Sequence, residues 1–235
     1  MSGEPKTKDA HLAVLPVISG PRGFTKRLCD LVFAGFGLIT LSPIMLLIAL
    51  MLYGSGFRRP VFIQPRVGLN GQIFTIIKFR TLRDETCRPV RPKMHRISNR
   101  FAALLRISGF DELPQLINVL RGEMSLVGPR PHNIADHTEF SAYIAGYDDR
   151  LTTKPGITGL AQIYGWRGQV CSHDHLRARI AHDRAYVARH STLLDMRILI
   201  RTMALPVTSL IATKTRHSQP CQNIKTCHHC NRRLV

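Results

Sequence analysis

Two adjacent carboxylates, Asp111 and Glu112, are the only acids between Glu85 and Glu123, in a stretch that also holds Arg88, Arg91, Lys93, Arg96, Arg100, Arg106 and Arg121. A carboxylate pair set among cations suits an anionic substrate, with a metal ion as mediator. A carboxylate is also a competent covalent nucleophile toward a phosphoryl group. Taken alone, the same two residues read more readily as the N-cap aspartate and first-turn glutamate of an ordinary helix.

The neighbouring residues say how the pair would be held. Pro114 is tolerated only near the start of a helix, so one is predicted to begin close to Asp111. Leu113, Leu116, Ile117 and Leu120 then share a face. A helix N-terminus would help keep Asp111 ionised and would attract phosphate. Downstream, Gly128-Pro129-Arg130-Pro131 reads as a stiff turn. Its arginine is either a bidentate phosphate ligand or a solvated side chain. Upstream, residues 61–82 read as strands joined at Asn70-Gly71, a strong hairpin signal. Arg66, Lys78 and Arg80 are its cations. Lys78 and Arg80 either hold phosphate or end a solvated strand. Residues 83–95 read as a polar loop, and 96–108 as a short basic amphipathic helix suited to anionic headgroups.

From Leu31 to Phe57 there is no charged residue, a run long enough to enter or cross a bilayer. Lys26-Arg27 precede it and Arg58-Arg59 follow. Basic flanks at both ends favour placing both in the cytoplasm. Ser42-Pro43 sits near the middle, where proline removes a backbone donor and kinks a helix. The Ser42 hydroxyl offers a donor to a carbonyl freed there. A re-entrant helix broken at Ser42-Pro43 fits both facts; on hydropathy alone, a single span with a proline kink fits as well.

The 235 residues carry a net charge of +18, from 33 Lys and Arg against 15 Asp and Glu. Such an excess points to nucleic acid, anionic lipid or phosphorylated substrates. No nucleic-acid-binding module is recognisable, and the uncharged run argues against that class. The six cysteines are scattered and no cleavable signal peptide is present, so a reducing compartment is expected. Residues 132–152 and 174–189 read as helices. Residues 192–212 are apolar but interrupted by Asp195, Arg197, Arg201 and Pro206, which suits a helix lying flat on a bilayer. Trp166 reads as an interfacial anchor, a sugar-pocket residue or a packing residue, and Asp183 as a structural salt-bridge partner. The tail holds Cys227-x₂-Cys230 without a second paired knuckle, so a disordered basic tail is expected over a zinc site.

Together these blocks resemble the bacterial sugar transferases, the monotopic phosphoglycosyl transferases. The resemblance covers about Lys26 to Thr202. It rests on the run broken at Ser42-Pro43, on Gln64, Arg66, Gly68 and Gly71, and on Lys78-Phe79-Arg80-Thr81. Asp111-Glu112-Leu113-Pro114-Gln115, Val127-Gly128-Pro129-Arg130-Pro131, Lys154-Pro155-Gly156-Ile157-Thr158-Gly159 and Gly165-Trp166-Arg167-Gly168 continue it. The start of Gly128-Pro129-Arg130-Pro131-His132, the Gly146-Tyr147 pair and the last of these blocks look most like the undecaprenyl-phosphate glucose phosphotransferase subgroup, in a short form. Gly109-Phe110 depart from the Ser-Leu usual in that family.

The resemblance implies an enzyme that moves a sugar-1-phosphate from a UDP-sugar to undecaprenyl phosphate and releases UMP. It implies Asp111 as nucleophile through an aspartyl-phosphosugar, Glu112 beside it, and Mg²⁺ near both carboxylates. Arg106, Arg130, Lys78 and Arg80 become the expected phosphate-binding residues. The expected fold is α/β, mainly helical and monotopic, with a re-entrant helix, a small β-hairpin and helices on the membrane surface. The expected organisation is a flexible arm (1–25), a membrane helix (26–57), a catalytic domain with interfacial helices (58–212) and a tail (213–235). Membrane lipids are expected partners and nucleic acid is not; homodimer formation is left open. The expected location is the bacterial cytoplasmic membrane, with the catalytic domain on its cytoplasmic face. An inactive membrane scaffold and a basic protein binding nucleic acid or anionic lipid are the alternative classes.

Overall fold

The structure, a computed structural model, describes residues 21–81, 92–168, 170 and 172–212. The expectations for 1–20, for a loop over 83–91 and for the Cys/His tail lie outside the described residues.

Helix α1 runs over Pro21–Gly54. It begins five residues inside the segment expected to be a flexible arm, and it continues through Pro43. Pro43 has no N–H to give the carbonyl of Ile39, four residues back. The Ser42 hydroxyl donates to that carbonyl instead, at 2.8 Å. The substitution keeps the helical ladder satisfied where a proline would open it. Most of the helix is bare: Phe24, Val32, Phe36, Ile39, Leu46, Leu47, Leu50 and Tyr53 are exposed. Among the described residues it is the one helix long and apolar enough to cross a membrane.

Both halves of α1 nevertheless rest on the same body. In the first half Lys26 pairs with Asp195 at 2.6 Å, and Asp30 accepts from the Leu126 amide and the Ser125 hydroxyl. Ala34 packs with Ile76, Leu116 and Val119. In the second half Ile48 and Leu52 pack with Phe57, Phe79 and Leu105.

The hairpin forms as its turn signal predicts. Strands β1 (Val61–Val67) and β2 (Ile73–Phe79) pair antiparallel. Asn70 lies between them at φ 52°, a left-handed conformation that asparagine tolerates. Partners across the ladder point to one face, so Phe62, Gln64, Arg66, Phe74, Ile76 and Lys78 share a side. That side faces the body; Val61, Ile63 and Ile73 on the other are exposed.

Helix α2 covers Pro92–Ser108, so residues 92–95, expected in a loop, are helical. Helix α3 covers Gln115–Arg121. Its deepest residues are Asn118 and Val119, off the predicted Leu113/Leu116/Ile117/Leu120 face, of which only Leu116 is buried. The reason is polar. The Asn118 carboxamide accepts from the Ile77 amide at 3.0 Å and donates to the Thr75 carbonyl at 2.7 Å. It thereby bonds the free edge of β2 and joins helix to hairpin.

Two further strands had no sequence signal. β3 (Ser125–Val127) and β4 (Gly156–Thr158) pair parallel. Glycine permits their approach: a Cβ on Gly156 would collide with the Gly128 backbone, and one on Gly128 with the Lys154 carbonyl. The polar stretch after β3 is less helical than expected. It contains α4 (Ile134–Tyr143) and then a 3₁₀ segment, Tyr147–Thr152. The short α5 (Leu160–Ile163) leads to α6 (His173–Arg189) and α7 (Thr192–Ala212), close to the predicted spans.

Candidate active site

The dyad lies in a tight turn rather than at the head of an α-helix. Gly109 ends α2 at φ +79°, a conformation open to glycine. Phe110–Glu112 then form one 3₁₀ turn and Pro114 leads into α3. The unusual glycine at 109 therefore suits its backbone.

The two acids receive opposite treatment. Glu112 is half-buried, and both of its oxygens are held by the Arg130 guanidinium, one of them at 3.1 Å from Nη1. Burial alone would raise the Glu112 pKa; the charge and hydrogen bonds of Arg130 outweigh it and hold the carboxyl below its usual range. Asp111 is buried, and no donating side chain reaches its carboxylate among the described residues. Burial and then the Glu112 charge push its pKa up to about 6, against the pull of Lys78 and Arg130. The expected help from a helix dipole is thus overruled by desolvation.

Lys78 reaches this site from β2. It lies 5.2 Å from the Phe62 ring centre and feels both acids. Burial, then Arg66 and Arg130, lower its pKa. Arg80, two residues on, turns elsewhere: its Nε donates to the Arg59 carbonyl, and it also lies over Phe62. Arg106 is exposed in the last turn of α2, and among the described residues no hydrogen bond ties it to the dyad.

Arg66 belongs to the site although it was named only as a hairpin cation. Burial, then the Arg130 charge, push its pKa down to about 10. It donates to Gln64 at 2.7 Å and to the Pro131 carbonyl at 3.3 Å, while its Nε is buried without a partner. Strand alternation would have found it, because Arg66 lies on the face that carries Lys78.

Arg130 itself is fixed by its backbone. Four successive carbonyls are each held by a different donor. Pro129 accepts from the Gly156 amide and Arg130 from Arg150 Nη2. Pro131 accepts from Arg66, and His132 from the Val67 amide at 3.0 Å. Arg150 is fully buried against Asp183, at 2.8 Å. His132 Nδ1 faces the Tyr147 hydroxyl at 2.7 Å and Arg150 at 3.4 Å. Burial, then Arg150, hold His132 well below its ordinary pKa, so it is neutral. No sequence signal marked Arg150, and His132 stood out only as the end of the Gly128–His132 block of the resemblance; the partners of both come from distant segments.

The site thus offers one carboxylate with no side-chain donor among the described residues, near Lys78 and an arginine already tied to the second acid, with Arg66 close to that second acid. Asp111 has free oxygen lone pairs for a hard cation; Glu112 has both oxygens committed to Arg130. No group of three or more potential metal ligands occurs among the described residues.

Comparison with known proteins bears on this geometry. The sequence profile of the family described as "Bacterial sugar transferase" matches residues 21–209. The UDP-glucose:undecaprenyl-phosphate glucose-1-phosphate transferase of Caulobacter vibrioides is 40% identical over 194 residues, covering 80% of this chain and 70% of that protein. The protein of the same name from Klebsiella pneumoniae is 38% identical over 181 residues, 76% of this chain but 39% of its own length. The exopolysaccharide production protein PSS of Rhizobium leguminosarum is 37% identical over 191 residues, covering 78% of this chain and 95% of that protein. The chain therefore spans well under half of some relatives and nearly all of others.

Proposed function

The chain belongs to the bacterial sugar transferase family, and from that premise we propose that it is a phosphoglycosyl transferase that moves a sugar-1-phosphate from a UDP-sugar to undecaprenyl phosphate. Glucose is the first sugar to test, since relatives of 36–41% identity carry UDP-glucose in their names.

In this reading an Asp111 oxygen attacks the β-phosphorus of the UDP-sugar. The new O–P bond forms as the bond to the bridging oxygen breaks, and UMP leaves. An oxygen of undecaprenyl phosphate then attacks the same phosphorus, the aspartyl bond breaks and Asp111 is regenerated. The observation that carries the reading is the asymmetry of the dyad: Glu112 is neutralised by Arg130, whereas Asp111 has no side-chain donor among the described residues. A desolvated carboxylate with no side-chain donor is a better nucleophile than one gripped by a guanidinium. Lys78, Arg66 and Arg130 would meet the charge on the transferring group. Asp111 would also hold Mg²⁺ together with substrate phosphate oxygens and water, and the ion would neutralise diphosphate charge. Glu112 could join it only through the lone pairs that Arg130 leaves open.

The lipid substrate requires the site to lie at a bilayer surface. Helix α1 extends about 50 Å, well beyond a hydrocarbon core of about 30 Å. Its two ends contact one body through Lys26 and Asp30 on one side and Ile48 and Leu52 on the other. That supports entry and return at one face, which we place at the cytoplasmic side of the bacterial inner membrane.

The test is UMP release by the detergent-solubilised full chain from a panel of UDP-sugars, with Mg²⁺ and undecaprenyl phosphate. Release is expected with one or a few sugars and none with Asp111→Asn. Undiminished release by that variant would remove the proposed nucleophile.

A further inference from the structure

A second cationic centre lies at the opposite end of α3 from the dyad. Arg27, on α1, donates to the carbonyls of Val119 at 2.7 Å and Leu120 at 3.1 Å, capping the C-terminus of α3. Lys154 comes from the segment before β4. A methyl group on Gly122 would lie 3.4 Å from Arg27 Nη2 and 3.8 Å from Lys154 Nζ, so both cations overhang one patch of bare backbone. Neither faces an acid as a partner. Lys26 is neutralised by Asp195. Asp30 is committed to Ser125 and Leu126, and Glu123 accepts from Asn118. The Lys154 ammonium makes no hydrogen bond or ion pair with any described residue. Burial, then the Arg27 charge, lower its pKa, and the Asp30 carboxylate offsets them only in part.

The position has a second meaning. Phe24, Arg27, Leu28 and Leu31 recur at helical spacing along one stripe of α1, and Phe24 and Leu28 are 74% and 50% exposed. The uncharged run begins at Leu31. The two cations therefore stand where α1 would pass from headgroups to hydrocarbon.

We propose that Arg27 and Lys154 form a phosphate-binding site above Gly122, separate from the catalytic centre, that takes the phosphate of an anionic phospholipid where α1 enters the bilayer. The inference rests on α1 being the membrane anchor. A phosphate oxygen lying between the two cations would supply the missing counter-charge, and exposed Phe24 and Leu28 would meet the acyl chains. A free phosphate ion has the same recognition chemistry.

The test uses the full chain in neutral detergent micelles and follows its melting temperature during titration with phosphatidylglycerol, phosphatidylcholine or inorganic phosphate. The wild type is expected to be stabilised by phosphatidylglycerol at lower concentration than by phosphatidylcholine. Lys154→Gln should need about fivefold more phosphatidylglycerol, as loss of roughly 1 kcal/mol per cation implies. Lys154 caps nothing, so this variant keeps the fold. Arg27→Lys keeps the charge and should fall between the two. Inorganic phosphate acting alone, with the same loss in Lys154→Gln, would support the site and make a free anion its ligand. Identical phosphatidylglycerol curves for wild type and Lys154→Gln overturn the proposal. Retention of both proteins on membranes after a carbonate wash tests the anchor separately.

Discussion

Arg130 grips both carboxylate oxygens of Glu112, while Asp111, the next residue back, receives no side-chain donor among the described residues. Adjacent acids are thus driven apart in function. One is a fixed counter-ion, and the other is kept desolvated.

The first prediction concerns Asp111. Its folded pKa of about 6 lies above the ordinary 3.8. The folded state keeps a proton that the unfolded chain releases between those values. Stability from this group is therefore present at low pH and lost as pH rises from about 4 to 6, a change of about 3 kcal/mol. Asp111→Asn should raise the melting temperature at pH 7.5 by several degrees while abolishing UMP release. A lower melting temperature would contradict the assigned desolvation of Asp111. The rate of the first transfer should fall as pH drops below about 6, where Asp111 takes up its proton.

Arg130→Ala should leave Glu112 half-buried without its counter-ion. The expected cost is about 3 kcal/mol, read by thermal or denaturant unfolding. Arg130→Lys should retain more stability but lose the two-point grip, with activity down at least ~100-fold. A Glu112→Gln, Arg130→Met double variant should be more stable than Arg130→Ala, because the buried charge has gone.

Arg150 and Asp183 form a buried pair whose arginine also holds the Arg130 carbonyl. Removing either partner should cost about 3–5 kcal/mol. Arg150→Lys preserves the charge but not the fork, and is expected to lower kcat more than it raises KM, because Arg130 is misplaced rather than removed. An effect on stability with kcat unchanged would reduce Arg150 to a purely structural part.

Ser42→Ala removes the donor that serves the Ile39 carbonyl beneath Pro43. In a membrane, an unserved carbonyl is expensive. The variant should melt about 1 kcal/mol below the wild type or more, and amides on either side of the proline should exchange faster. Single cysteines placed near residues 22 and 58 are expected to react with an impermeant thiol reagent from the same side of the membrane. Labelling from opposite sides would contradict the re-entrant reading.

Much of this architecture was legible because it depends on neighbours in sequence. Asn70-Gly71 marked the hairpin, the charge-free run marked α1, and Ser42-Pro43 foretold the hydroxyl donated to a freed carbonyl. The Asp111-Glu112 pair stood out by its basic surroundings. What was hidden depends on distant contacts. The parallel pairing of β3 with β4 joins segments about thirty residues apart. The buried face of α3 follows Asn118 because an amide there bonds a strand edge, which apolar periodicity cannot register. Arg130 was expected to wait for phosphate, yet its charge is already engaged by Glu112. Arg66, Arg150 and His132 gained their places only once the chain had closed.

The run from Pro129 to His132 is moored at four consecutive carbonyls, to β4, to Arg150, to Arg66 and to the end of β1. A cord tied at every knot has no slack to give. If a diphosphate docks as proposed, its pull on Arg130 would be met by rotation of that one side chain, and the Glu112 it lets go would become a newly bare charge beside Asp111. Substrate arrival would then itself switch the second acid from counter-ion to participant.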